Sequence, residues 1–300
     1  MNSKEVFTYP ALIEKIRSSG IIINDEAIVQ AALTNINYQR LMVYRLHFIN
    51  NGKIKPGTRF TDILDLYEFD RDIKGCIYPL LETLEFALKA KIGYYLGQKT
   101  GKHGYLDIKN FRNPLYHQGM LQNYYKAKDR DRKKRVSIVK HHEKKYIDEL
   151  PIYKAIELFT FGELVRLFNN LKDFNLKREI IDEYINKENG LRLRIFRSWT
   201  IKLVDIRNIC AHYDIFWSRY FELKPIRNRY WNNLSLFQID NRHYYSIFTI
   251  MIIIKILTSN NILYDNVLNR MELIFNKYMH ILKSPDIGFP TNWKKELQNH

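Results

Sequence analysis

Cysteine is almost missing from this chain. Cys76 and Cys210 are the only two among 300 residues, with no CxxC pair and no Cys/His cluster. That excludes a disulfide-stapled secreted scaffold and a cysteine-built zinc site, and it predicts a reducing, cytoplasmic setting. Long apolar runs are lacking too. The most membrane-like stretch, IFTIMIII from Ile247 to Ile254, is ended by Lys255, far short of the ~20 residues a span needs. It is therefore expected as a buried core helix, with no membrane partner. The opening MNSKEVFTYPALIEKIRSSG has no basic start followed by a long apolar core and a cleavage site, so no signal peptide is expected.

Other signatures fall short as well. Gly97 to Lys102, GQKTGK, superficially resembles a phosphate-binding loop, but it is one residue short, runs into His103 and follows a helix rather than a strand. His141-His142-Glu143 is too compact to hold a metal on a helix, so neither metal nor other cofactor is expected. Acidic residues are the minority charge. Forty-eight Lys and Arg face 32 Asp and Glu, a net charge of +16, which draws in polyanions and makes their binding salt-dependent. A generally Lys- and Asn-rich proteome would give the same balance.

What is present is helical periodicity almost throughout, with no internal repeat and no linker-like run. The fold class expected is all-α, a helical bundle. Pro10 opens a helix that Gly20 closes, and Asp25 caps the next. Ile21 to Ile23 is β-branched, yet no strand partner lies nearby. Asn50 to Thr61 contains two glycines and a proline and reads as a loop. It suggests a boundary between an N-terminal helical unit, 1–55, packed on a main domain, 56–300, unless 1–300 is one continuous domain. From Asp62 to about Gly97 runs the longest helix, which Pro79 should kink. Glu82, Glu85 and Lys89 share its polar side, either as a solvated ion-pair ladder or with Glu85 turned toward a partner helix. The closing GFPTNW should pack back through Phe289 and Trp293.

The chain is read as organised around Trp199 to Trp217, WTIKLVDIRNICAHYDIFW. Ile201, Val204, Ile206, Ile209 and Cys210 recur at helical spacing, and Asp205, Asn208 and His212 form a polar stripe. At 100° per residue Asn208 and His212 are one turn apart, and Arg207 must curl back to join them. A cation, an amide and an imidazole suit phosphoryl chemistry on RNA. Histidine can move the proton of the 2′-hydroxyl or of the leaving 5′-oxygen. Arginine can grip the scissile phosphate, and asparagine can orient either. The same three residues near a helix end also make an ordinary solvated surface.

RNICAH has the R-N-x-x-x-H form of HEPN-type ribonucleases, and its setting resembles the abortive-infection (Abi) proteins of the AbiD and AbiF type. The likeness extends over ordered blocks: DEAIVQAALTNINYQRLMVYRLHF, FTDILDLYEFDRDIKGCIYPLLETLEFALKAKI, LPIYKAIELFTFGELVRLFNNL, SWTIKLVDIRNICAHYDIFW and GFPTNW. The resemblance implies a HEPN-like helical core with additional N-terminal helices and a metal-independent RNase site at Arg207, Asn208 and His212. It also implies a role in phage defence or toxin–antitoxin regulation, with an inhibitory small RNA as a plausible partner. After His212 the chain departs from the family, with Tyr213-Asp214-Ile215 where members often carry a basic residue.

Glu85 and Asp205 are candidate supports for the site. Between Lys126 and Lys145 ten of twenty residues are Lys or Arg, which reads as a solvated run or as a helix that displays charge to RNA. Arg132, Lys133, Lys134, Arg135, Lys140 and, further on, Arg219 are the candidate RNA contacts. Arg227, Arg229 and Trp231 could add stacking. Because related sites are often built from two motifs, a homodimer through the motif helix is expected. The rival readings are a non-catalytic RNA-binding regulator held by an RNA or protein antitoxin, and a purely structural helical adaptor.

Overall fold

Most helices here begin where a short polar side chain can satisfy backbone N–H groups that have no partner inside the helix. In the computed structural model, which describes residues 6–184, 192–217, 246–258 and 261–298, Thr8 caps α1 (Tyr9–Ser18) with Pro10 in its first turn. Asp25 caps α2 (Glu26–Asn35), accepting from Ala27 N at 2.8 Å. Asn37 caps α3 (Tyr38–Met42), which passes into a 3-10 turn over Tyr44–Phe48. The expected loop after it contains a two-residue hairpin, β1 (Ile49–Asn50) against β2 (Lys53–Ile54). Asn51 and Gly52 at its tip both have positive φ, 49° and 77°, the geometry that Asn-Gly adopts in a type I′ turn. Ile22 does find a β partner: it bridges to Arg59, with Ile22 N on Thr58 O and Phe60 N on Ile22 O, both at 2.9 Å. The sequence reading missed that pairing because the partner lies 37 residues away.

α4 (Phe60–Thr100) is 41 residues long and continues through Pro79. The chain divides into two compact units, residues 1–76 with 269–286 and residues 77–268 with 287–300, so α4 contributes to both. In the first unit Phe69 stacks on Phe275 at 6.0 Å and meets Tyr278 edge-on at 5.7 Å. Asp70, fully buried there, accepts from Tyr44 Oη at 2.9 Å and pairs with Lys74 Nζ at 2.8 Å.

The second unit contains α5 (Pro114–Arg132), α6 (Ile138–Glu143), α7 (Ile152–Ala155), α8 (Phe161–Asn170), α9 (Phe174–Asp182), α10 (Leu193–Ala211) and α11 (Ile247–Leu257). It also holds the start of α12 (Asn261–Lys277) and all of α13 (Trp293–Gln298). Leu84 and Leu88 of α4, Phe161 of α8, Phe196 and Leu203 of α10 and Leu257 of α11 close around its core. Thr160 and Glu163 form a reciprocal capping box at the start of α8, where Val204 of α10 packs beside Gly162. α11 is buried on nearly every side. The GFPTNW tail packs as expected, with Phe289 edge-on to both Phe248 and Trp293.

The basic run does not form one helix. It is the end of α5, a break over residues 133–137, and then α6. Asp131 makes the break, accepting Ser137 Oγ at 2.8 Å and Val139 N at 3.1 Å. Burial pushes its carboxyl up, but those hydrogen bonds and Lys134 outweigh burial and hold it below the ordinary carboxylate range. Among the described residues no helix is long and apolar enough to cross a membrane.

Candidate functional site

α10 buries Phe196, Trp199, Leu203, Ile206 and Cys210. The residues left exposed are Arg194, Arg197, Ile201, Asp205, Asn208 and His212. Their spacing of three and four residues keeps them within one narrow stripe along the solvent side of the helix. Arg207 lies off that stripe and points toward α4, where its Nε donates to Glu85 Oε2 at 3.1 Å. Its Nη1 reaches Asn208 Oδ1 at 3.5 Å. Glu85 is buried, and its other oxygen stands 3.7 Å from Lys89 Nζ. Lys89 in turn donates to the Glu157 carbonyl at 3.3 Å. The carboxylate thus lies between two cations, and Arg207 keeps N–H groups on the solvent side.

The helix ends in an unusual way. His212 occupies the C-cap position, and Tyr213 follows at φ 59°, the left-handed conformation that glycine normally supplies at this point. Asp214 N bonds to Ile209 O at 3.1 Å and His212 N to Asn208 O at 2.9 Å. The first of these is the 6→1 bond of a Schellman motif. His212 is exposed, and its ring makes no hydrogen bond to another described residue. The structure therefore joins Glu85, Arg207 and Asn208 side chain to side chain and ties His212 to them only through the backbone. Asp205 pairs with Lys202 at 3.3 Å and touches neither Arg207 nor His212.

A family model described as Abi-like protein matches residues 31–218, well over half of the chain. The chain belongs to the Abi-like family. Neither a curated protein nor a solved structure matches it.

In this Abi-like chain the predicted basic contacts divide sharply. Arg132 is held by Glu143 and Asp129, each at 2.6 Å. Lys134 pairs with Asp131 at 3.2 Å, and Lys140 donates to the Lys134 carbonyl at 2.9 Å. Lys133 and Arg135 are exposed without an ion pair to a described residue. Arg219, with Arg227, Arg229 and Trp231, lies outside the described residues. Among the described residues, no three His, Cys, Asp or Glu side chains are grouped to hold a metal ion.

Sequence reasoning missed a concavity of about 720 Å³ between α5, α8 and α10, lined among others by Asn113, Tyr116, Arg166, Asn169, Arg197 and Ile201. Asn113 and Asn170 fix its floor by reciprocal bonds, Asn113 N to Asn170 Oδ1 at 2.8 Å and Asn170 Nδ2 to Asn113 O at 3.0 Å. A second hollow, about 570 Å³, shares Asn123 and Glu163 with the first and is lined by Lys126, Asp129, Arg130 and Lys133. Arg197 and Ile201 belong to the same exposed stripe as Asn208 and His212. Ile201 and Asn208 are about 10 Å apart along the helix axis. The sequence signal was available, since Arg166 and Arg197 each stand opposite the apolar face of an amphipathic helix, but three helices must pack before they share a wall.

Proposed function

We propose that this Abi-like protein is a metal-independent endoribonuclease of the HEPN type that cuts single-stranded RNA, acting in phage defence as an abortive-infection protein or as the toxin of a toxin–antitoxin pair. The observation that carries the reading is the chain Glu85–Arg207–Asn208, which ends at the exposed stripe that presents His212. Membership of the Abi-like family supports the defence role.

In this reading His212 takes the proton of a 2′-hydroxyl as that oxygen attacks the neighbouring phosphorus. The bond from phosphorus to the 5′-oxygen breaks, and the leaving oxygen departs with a proton. The products are a 2′,3′-cyclic phosphate and a 5′-hydroxyl. Arg207, with Nε committed to Glu85, offers its remaining N–H groups to the phosphate and stabilises the charge that builds there. Asn208 orients the phosphate or the imidazole. One R-N-x-x-x-H motif brings one imidazole to a reaction with two proton transfers, so two copies of α10 facing across a two-fold axis complete the site.

The test is cleavage of an end-labelled unstructured RNA in EDTA by wild type, His212→Ala and Arg207→Ala. Wild type cuts and leaves a cyclic phosphate, each variant loses about 10²-fold or more, and 2′-deoxy substitution at the cut position blocks the reaction. Tight binding without cutting by the wild type identifies a regulator that only holds RNA. An active species that sediments strictly as a monomer removes the composite site.

A further inference from the structure

We propose that the two joined hollows between α5, α8 and α10 form the track along which a single RNA strand is laid and led to His212, an inference that rests on the nuclease reading for its direction. Five cations line it: Lys126 and Arg130 from α5, Lys133 at its C-cap, Arg166 from α8 and Arg197 from α10. None of the five has an ion-pair partner among the described residues. The two acids in the same walls are already engaged. Glu163 accepts from Thr160 N and Oγ1 at 2.8 and 2.9 Å, and Asp129 holds Arg132 at 2.6 Å. Five cations against these two acids leave the trough with a net positive charge, matched to a chain of phosphates.

The sorting within α5 is by face. Lys126, Arg130 and Lys133 repeat at four and three residues on the trough side. Lys128 on another face is buried against Glu149 at 2.6 Å, and Arg132 is clamped as described. At the other end of the same stripe Tyr116 stands in the first turn of α5, 71% exposed, an aromatic face with no packing duty. Such a ring stacks on an unpaired base whatever its identity. Asn113 and Asn169 add polar edges. The stripe of α10 then carries the strand from Arg197 past Ile201 to Asn208 and His212. A duplex presents no free base face to Tyr116, so the occupant is a single strand.

Anisotropy of a labelled unstructured RNA, measured in the His212→Ala background so that the probe stays intact, tests this. Arg166→Glu with Arg197→Glu, and Lys126→Glu with Arg130→Glu, should each weaken binding about thirtyfold or more and lower the salt slope by about 0.7 per lost phosphate contact. Tyr116→Ala should cost about tenfold with the salt slope unchanged. Lys109→Glu with Lys295→Glu removes the same charge from exposed positions that do not line the trough and should change affinity less than threefold. Equal losses in trough and control variants overturn the track, since net charge alone then explains binding. The glutamines Arg166→Gln and Arg197→Gln serve if a reversal lowers the melting temperature. Selective loss of binding without wild-type cleavage in EDTA keeps the track and sinks the nuclease. Wild-type cleavage that the trough variants leave unchanged does the reverse.

Discussion

Two acid–lysine pairs lie on α4 with the same i,i+4 spacing, and they have opposite characters. Asp70 and Lys74 are closed at 2.8 Å, both buried, and Tyr44 takes up the carboxylate as well. Glu85 and Lys89 stand 3.7 Å apart, and Glu85 gives its other oxygen to Arg207, a side chain still 22% exposed. In the first cluster all three members, Tyr44, Asp70 and Lys74, are buried. The second has a cation with N–H groups left over, and a carboxylate that sets where that cation points. Identical spacing in sequence therefore separates into a structural element and a candidate site only through what the surrounding helices bring to it.

The comparison can be broken by substitution. Asp70→Ala should cost about 3–5 kcal/mol in urea unfolding, because it removes a buried carboxylate that both Tyr44 and Lys74 contact, while cleavage per folded molecule stays unchanged. A loss below about 1 kcal/mol would place Asp70 with the open type. Lys177 gives a third case, a buried lysine with no carboxylate partner among the described residues, donating to Asn169 O at 2.7 Å. Burial, with Arg112 and Arg197 nearby, lowers its pKa to about 8. The unfolded chain holds this proton until near pH 10.5, so between pH 8 and 10 it binds more protons than the folded state, and stability should rise with pH by roughly 2 kcal/mol. Lys177→Met should abolish that slope; a wild-type urea midpoint that is flat or falling across the window contradicts it.

Glu85→Gln keeps the side chain's volume and one oxygen for Arg207, so it should cost less than Asp70→Ala, about 1.5–3 kcal/mol of stability, yet reduce cleavage more than tenfold in kcat with KM little changed, since it leaves Arg207 present but unaimed. Equal stability losses for Glu85→Gln and Asp70→Ala would erase the distinction between the two clusters. The smallest effect belongs to Tyr213→Gly. Relief of the left-handed strain, about 1 kcal/mol, is largely offset by added freedom in the unfolded chain, so stability should move by less than 1 kcal/mol while cleavage falls a few-fold.

Much of the fold was legible because helix starts are local. Pro10 and Asp25 announce helix starts locally, and the all-helical class follows from periodicity; Thr8 and the Thr160/Glu163 box are equally local signals that the sequence reading passed over. The motif helix was readable in the same way, and Glu85 could be nominated because its spacing left it on the polar side of α4. What escaped was non-local. Asp131 gathers Ser137 and Val139 and so breaks a run that looked continuous. Glu143 claims Arg132 from across that break, and Ile22 pairs with a segment 37 residues on. The trough was invisible for the same reason: its walls come from three helices, and its character depends on which cations have already found acids. The Asn51-Gly52 turn is a different miss, since its signal was local and plain.

A tyrosine in the left-handed region right after the exposed imidazole restricts what evolution can place there. Val, Ile or Thr at position 213 would crowd the backbone and pull the end of α10 out of its turn, dragging His212 with it. Gly, Asn or Asp would be accommodated. Position 213 should therefore vary in size and polarity across relatives but avoid branching at Cβ, a pattern set by main-chain geometry and independent of which RNA, if any, is met.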